Sequence, residues 1–395
     1  MKRNVENLKF RTISGWRGDS LVCPQAFGGD VFAGCSMGCW FCFCREMEQT
    51  FYNKYYEGWN RDIVRPCDPD DYKRLFDRAF GNDKDTQDWK IKCLRHGLPF
   101  NMGSKAETFA VEDFKFDVVA KVLELFREYK VPVIFETKSH YIGLQRYLDI
   151  IKDLKCAVIV AIMGGSDTLN YKLEPGAPPA SMRWNLVKEL NRRNIWTGVR
   201  WEPIMYGINS RDSILEDFAK KAKENKAKHV SLYNYRTSNW KIAKQQFEKR
   251  GWNFVKMLEG NLDENWRPIG KKFFEYLQKE GVRASSPDFV NFPFDNSCES
   301  CCGVDGLFVP YEFTFQHACR LIKEKGFVAW DDMEAVTFRE QDAYERMKKI
   351  WNGGGHYYSL ADSPEIVVLD VDSSGRNIYG KKSGNDHRRK TLFDL

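Results

Sequence analysis

The chain has 395 residues, with 61 basic against 55 acidic side chains and a net charge of +6. At 43% hydrophobic it can bury a large core, which excludes a disordered chain. The apolar run 157–163 is too short to cross a bilayer and the opening MKRNVENLKFRT lacks the core of an export signal, so a cytoplasmic protein with no membrane partner is expected.

In chain order, residues 30–34 read as a short strand running into a cysteine-rich turn. A helix is expected over 68–80 with Asp68 as its cap, then a strand over 98–102. Residues 111–129 predict one amphipathic helix, with Phe114, Val118, Val119, Val122, Leu123 and Phe126 on one side. Strands at 132–137, 157–163, 196–201 and 228–235 alternate with helices at 142–152, 179–191 and 213–224. About six β/α units imply a parallel sheet with its helices outside. Six units are too few for a closed eight-stranded barrel, so the expected fold is α/β, a partial (β/α)6 barrel with its chemistry at the carboxyl ends of the strands. After residue 240 the rhythm changes. Helices are expected at 240–250, 271–279, 315–324 and 341–351, and a hairpin turn at 372–375. A boundary near 255 divides a barrel domain, 1–255, from a mixed C-terminal extension, 256–395.

The chain holds 12 cysteines. With nothing directing export, metal binding or redox use is expected rather than disulfides. Seven fall in two groups: Cys35, Cys39, Cys42 and Cys44, then Cys298, Cys301 and Cys302. The first has C-x3-C-x2-C spacing on one tight loop after a predicted strand. Three thiolates can cap three corners of a [4Fe–4S] cubane and leave one iron open. Gly34 and Gly38 let the backbone turn around it, and Phe41 supplies a flat apolar wall. A zinc ribbon would use paired C-x2-C knuckles and a fourth ligand. Cys44 lies only two residues beyond Cys42 and reads as a bystander.

The motif C-x3-C-x-aromatic-C resembles the cluster motif of the radical S-adenosylmethionine (SAM) superfamily. The resemblance implies that the open iron chelates the amino and carboxylate groups of SAM. It further implies reductive cleavage of SAM to a 5′-deoxyadenosyl radical, fed by an electron donor such as flavodoxin or ferredoxin. Over residues 22–236 the chain looks most similar to the branch containing spore photoproduct lyase. Thr137–Lys138 ends the third strand, Glu174–Pro175–Gly176 follows the fourth with Arg183 a few residues on, and Pro203–Ile204 ends the fifth. By that resemblance Lys138 contacts the SAM carboxylate, and Gly103, Ser104 and Glu107 lie where the methionyl amine binds. Glu174 is read either as part of the SAM pocket or as a cap on its own loop. Two departures stand out. No cysteine lies in the loop at Met102, where the lyase has its hydrogen donor, and Phe41 and Phe43 flank Cys42 where the lyase has tyrosine. Repair of thymine dimers by the lyase's route is therefore not expected.

The second group, Cys298, Cys301 and Cys302, could bind zinc or an auxiliary Fe–S cluster with His317 or Cys319 as a further ligand. Alternatively it presents a catalytic thiol as hydrogen donor or acid/base, or it is structural. Two stretches, 51–61 and 233–241, interleave aromatic and basic residues, a pattern suited to stacking on bases and contacting phosphates, or to a packed loop with a charged edge. The leading expectation is hydrogen abstraction from a nucleobase, nucleotide or nucleic acid being modified or repaired. The alternatives are a radical enzyme acting on a peptide or small metabolite with an auxiliary metal site, and a non-enzymatic Fe–S or zinc redox sensor.

Overall fold

The computed structural model describes residues 3–4, 13–14, 27–48, 56–57, 60–81, 88–237, 239–260, 263–288, 290–308, 315–334, 351–353 and 359–382. Most of the aromatic-basic stretch 51–61 and nearly all of the expected helix 341–351 lie outside the described residues.

Seven parallel strands form the central sheet, and their spatial order follows the chain: β1 (Gly28–Gly29), β2 (Phe100–Met102), β3 (Val133–Thr137), β4 (Cys156–Ala161), β5 (Trp196–Ile204), β6 (Val230–Asn234) and β7 (Ala284–Ser285). Ile13–Ser14 pairs antiparallel with β1 at one edge. The sheet does not close on itself, which makes it the partial barrel the strand–helix alternation predicts. It also runs past residue 255, because β7 pairs with β6. The expected first strand at 30–34 lies earlier and is shorter. Phe32–Ala33 instead pairs antiparallel with Arg65–Pro66, which bends the chain out of the sheet and into the cysteine loop.

Successive strand residues face opposite sides. Phe100, Met102, Val133, Phe135, Val158, Val160, Val199 and Trp201 pack into the main core under the helices. Ile134, Ala157 and Ile159 form a smaller apolar layer of their own. Trp201 is 0% exposed, stacks on Phe218 of the helix Asp212–Glu224 at 4.4 Å, and meets Phe273 edge-on at 5.0 Å. Trp201→Ala is expected to cost about 3–5 kcal/mol, read as a lower urea midpoint at unchanged slope.

The predicted helix 111–129 is broken. A short turn, Asp113–Phe116, ends at Asp117 with φ 49°, and the helix Val119–Glu128 follows. The buried Asp113 carboxylate accepts from Val118 N at 2.8 Å and Val119 N at 3.0 Å, so it caps the second helix. Phe114 falls in the short turn and is 56% exposed, not on the buried face the periodicity assigns to it.

The C-terminal region has a separate core of Phe315, Cys319, Ile322, Trp330, Trp351, Leu360, Ile366 and Tyr379. There β8 (Phe327–Val328), β9 (Ile366–Val371) and β10 (Asn377–Lys381) pair antiparallel. The turn at 372–375 is the expected hairpin, closed by Gly375 N on Asp372 O at 2.9 Å.

The segment 298–308 packs against the strands rather than with that C-terminal core. Cys302, Val304 and Phe308 cover Ile134, Ala157 and Ile159. Ser231 Oγ donates to Cys301 O at 2.6 Å. Gly303, at φ 72°, has no room for a Cβ, which would meet the buried His229 ring at 2.2 Å. The second cysteine group is thus a plug on the sheet.

Candidate active site

The first cysteine loop is clamped from two sides. Cys35 N donates to Arg61 O at 2.7 Å on one side. On the other, Trp40 N donates to Leu173 O at 3.1 Å and Gly176 N to Met37 O at 2.9 Å. Gly34 has φ 84°, and a Cβ there would meet Ile63 O at 2.4 Å. Gly176 lies against the loop so closely that a Cβ would come within 2.3 Å of Ser36 O. Gly176→Ala is expected to push the loop away and destabilise the fold by about 1–3 kcal/mol, with the urea midpoint as the measurement.

Cys35, Cys39 and Cys42 line one cavity of about 440 Å³ together with Phe41, Gly103, Ser104, Glu107 and Lys138. Strand ends and the loops after them supply its walls, as expected of chemistry at carboxyl ends. Burial pushes the Cys35 and Cys39 thiols up. Cys42 is held well below the ordinary thiol value, first by a hydrogen bond from Cys44. Cys44, read from the sequence as a bystander, therefore touches the third sulfur.

Lys138 follows β3, and its ammonium pairs with Glu174 at 2.6 Å. Burial works against the Lys138 charge, but the Glu174 carboxylate and Cys39 outweigh it and hold its pKa above the usual value. Glu174 is 1% exposed and also pairs with the fully buried Arg183 at 2.7 Å. Arg183 Nη1 in turn donates to Ala161 O, at the end of β4, at 2.7 Å. Glu174 therefore stands behind Lys138 and fixes it at the cavity wall.

Glu107 has its oxygens engaged by this chain. Oε1 accepts from Thr137 Oγ1 at 2.6 Å and Phe109 N at 3.0 Å, and Oε2 from Lys138 N at 2.8 Å. It braces the Gly103 loop against β3. Gly103 has φ 92°, and a Cβ there would overlap Glu136 O at 2.2 Å. Ser104 Oγ is buried with no hydrogen-bond partner among the described residues, which fits a polar group of a ligand at this wall.

Glu136, Arg200 and Glu202 also line the cavity and escaped the sequence reading, while Arg61 and Tyr233, from the two aromatic-basic stretches, line it too. Arg200 Nη1 pairs with Glu136 at 2.7 Å and lies 3.6 Å from Glu202, while its guanidinium sits 4.8 Å over the Tyr233 ring. Strand alternation carries their signal. Arg200 pairs in register with Ala161, and both line the cavity, whereas their neighbours Val160, Val199 and Trp201 face the helices. Of the stretch 233–241, residues 233–237 line the cavity.

The three later thiols have different partners. Cys301 Sγ lies 3.2 Å from Tyr233 Oη. Cys298 Sγ accepts from Arg283 at 2.9 Å, and burial pushes its thiol up to about 11. Cys302 is fully buried among Ile134, Ala157 and Ile159. Of the two further ligands considered, His317 pairs with Glu299 at 3.0 Å and Cys319 lies in the C-terminal core. Among the described residues no three His, Cys, Asp or Glu side chains converge as ligands of a single ion.

No family model and no curated protein matches the chain. Among solved structures, spore photoproduct lyase with bound AdoMet and dinucleoside spore photoproduct superposes with a TM-score of 0.51 at 15% identity, covering 72% of this chain and 80% of that one. The likeness is one of fold, an open partial barrel shared with that lyase. Streptococcus suis SuiB bound to its precursor peptide SuiA matches with a TM-score of 0.44 at 14% identity over 69% of this chain. The chain spans about half the length of SuiB, 49%. A domain of pyruvate-formate lyase-activating enzyme from Bacteroides vulgatus gives 0.33 at 9% identity, covering 45% of this chain and 94% of that domain. No described helix is long and apolar enough to cross a membrane.

Proposed function

We propose that the chain is a radical SAM enzyme that abstracts hydrogen from a nucleobase, in a nucleotide or in nucleic acid. The observation that carries the reading is the single cavity shared by three thiols on one glycine-bounded loop, the Lys138 ammonium and the unsatisfied Ser104 hydroxyl. Cys35, Cys39 and Cys42 would hold a [4Fe–4S] cluster, and Lys138 and Ser104 would hold the methionyl end of SAM. Bound there, the two cofactors supply a 5′-deoxyadenosyl radical through one electron from a flavodoxin- or ferredoxin-type donor.

The chain's own part is positioning and exclusion of water. Glu174 and Arg183 fix Lys138, and Glu107 fixes the Gly103 loop. Aromatic and basic side chains of the 233–237 loop, with Lys105, suit a planar, phosphate-bearing substrate. The divergent partners of Cys298, Cys301 and Cys302 favour a thiol role over a second metal centre. Cys301 is the thiol that reaches the cavity, through Tyr233, and we assign it as donor of one hydrogen atom to the substrate radical, the thiyl left on Cys301 returning to the thiol with one electron from the same flavodoxin- or ferredoxin-type donor and one proton from solvent. Burial keeps the Tyr233 hydroxyl well above its ordinary pKa, so it stays protonated and able to pass a hydrogen.

The test is anaerobic reconstitution with iron and sulfide, then SAM and dithionite. 5′-Deoxyadenosine is expected from the native chain and not from Cys35→Ala. Its absence from the native chain would sink the enzyme reading. With oligonucleotides carrying deuterated thymine, deuterium in the 5′-deoxyadenosine supports the nucleobase target, and its absence across deuterated oligonucleotides of all bases would refute it.

A further inference from the structure

Arg61 is a cation placed beside the sulfur cluster site with no part in the steps above. It is 4% exposed and lines the cavity with Cys35, Cys42 and Cys44. Its backbone oxygen receives Cys35 N–H at 2.7 Å, so the residue is tied to the ligand loop itself. One guanidinium nitrogen pairs with the buried Glu48 at 2.5 Å, and another donates to Lys105 O. Burial opposes the charge, but the Cys42, Glu48, Cys44 and Cys35 groups around it outweigh that and keep it firmly cationic.

Fold stability does not explain this pair. Two buried ions can often be exchanged for packed apolar side chains at no loss, because desolvation consumes the Coulombic gain. The pair does, however, place a cation, with an anion beside it, next to two of the three sulfur ligands, Cys35 and Cys42. One-electron reduction of a cluster adds a negative charge and makes or breaks no bond. A cation close by in a low-dielectric cavity therefore favours the reduced form, and an anion beside that cation weakens the effect.

We propose that Arg61, with Glu48 as its counter-charge, sets the reduction potential of the cluster held by Cys35, Cys39 and Cys42. The inference rests on the cluster reading above. Arg61 is a positioning residue for charge and touches no substrate in this scheme. Without Arg61 the external donor must deliver its electron to a cluster that accepts it less readily.

The experiment is a redox titration of the anaerobically reconstituted full chain, followed by electron paramagnetic resonance, with iron counted per chain. Arg61→Met is expected to lower the midpoint, so that at the native midpoint the ratio of reduced to oxidised cluster falls about tenfold. Glu48→Gln is expected to move it the opposite way, and Arg61→Lys to stay near the native value. Opposite signs are something a merely structural role does not produce. If Arg61→Met takes up no iron, Glu48→Gln and Arg61→Lys still decide. A Glu48→Gln midpoint equal to or below the native one would overturn the proposal while leaving the cluster reading intact. A native chain that takes up no cluster would overturn both.

Discussion

Exchanging Glu174 for alanine is expected to destabilise the fold by about 3–5 kcal/mol and to loosen Lys138 from the cavity wall. The carboxylate is 1% exposed and is shared between Lys138 at 2.6 Å and the fully buried Arg183 at 2.7 Å. Removing it leaves a guanidinium in the core with Ala161 O and Asn170 as its remaining hydrogen-bond partners among the described residues, at 2.7 and 3.4 Å. The price of an uncompensated buried charge is the large term, not the lost attraction. Glu174→Gln keeps the shape and the hydrogen-bond acceptor and should lose less. Urea midpoints report stability, and SAM binding by equilibrium dialysis reports Lys138. A fall in affinity with unchanged stability in Lys138→Met would separate the two effects. Burial alone would raise the Glu174 pKa, but Arg183 and Lys138 overcome that and hold it below the ordinary carboxylate value. Its stabilisation is therefore present above the ordinary carboxylate range and is lost as pH falls through the depressed folded value. Glu174→Gln should flatten that acid limb.

The second large effect concerns the Tyr233–Cys301 contact. Tyr233→Phe and Cys301→Ala should each leave 5′-deoxyadenosine formation intact while lowering product formation by roughly 10²-fold, the scale of losing one positioned group. The two residues act in series, so the double variant should be scarcely worse than either single one. Thiol and phenol hydrogens exchange with solvent. In deuterium oxide the native chain should place deuterium in the product made from the thymine oligonucleotide, and Cys301→Ala should not. Equal deuterium in both would remove Cys301 from the reaction. Arg200→Met offers a control, since it takes away the guanidinium 4.8 Å over the Tyr233 ring but leaves both hydrogen carriers in place.

The barrel and the gathering of Cys35, Cys39 and Cys42 at one cavity were legible because they rest on local signals. Strand–helix alternation needs only neighbours in the chain, and Cys35, Cys39 and Cys42 lie within one turn-rich segment. What stayed hidden depends on distant partners. Glu107 reads as a free acceptor until Thr137 and the Lys138 backbone are seen to occupy it. Arg200 and Glu136 look like stray charges in apolar strands until register places Arg200 beside Ala161 on the cavity side. Asp117 breaks a helix that periodicity alone joins, because the Asp113 side chain caps the next turn. The cysteines at 298–302 lie some 70 residues from Ser231 and Tyr233, and no local pattern announces that they return to the sheet.

That return also orders events in time. Apart from Trp196, the residues that cover the apolar strip of Ile134, Ala157 and Ile159 among the described residues are Cys302, Val304, Leu307 and Phe308. A ribosome releases those strands long before it makes their lid. Until then the nascent sheet shows water an oily strip, the kind of surface on which partly made chains stick together. A fragment ending at residue 255 keeps that strip for good.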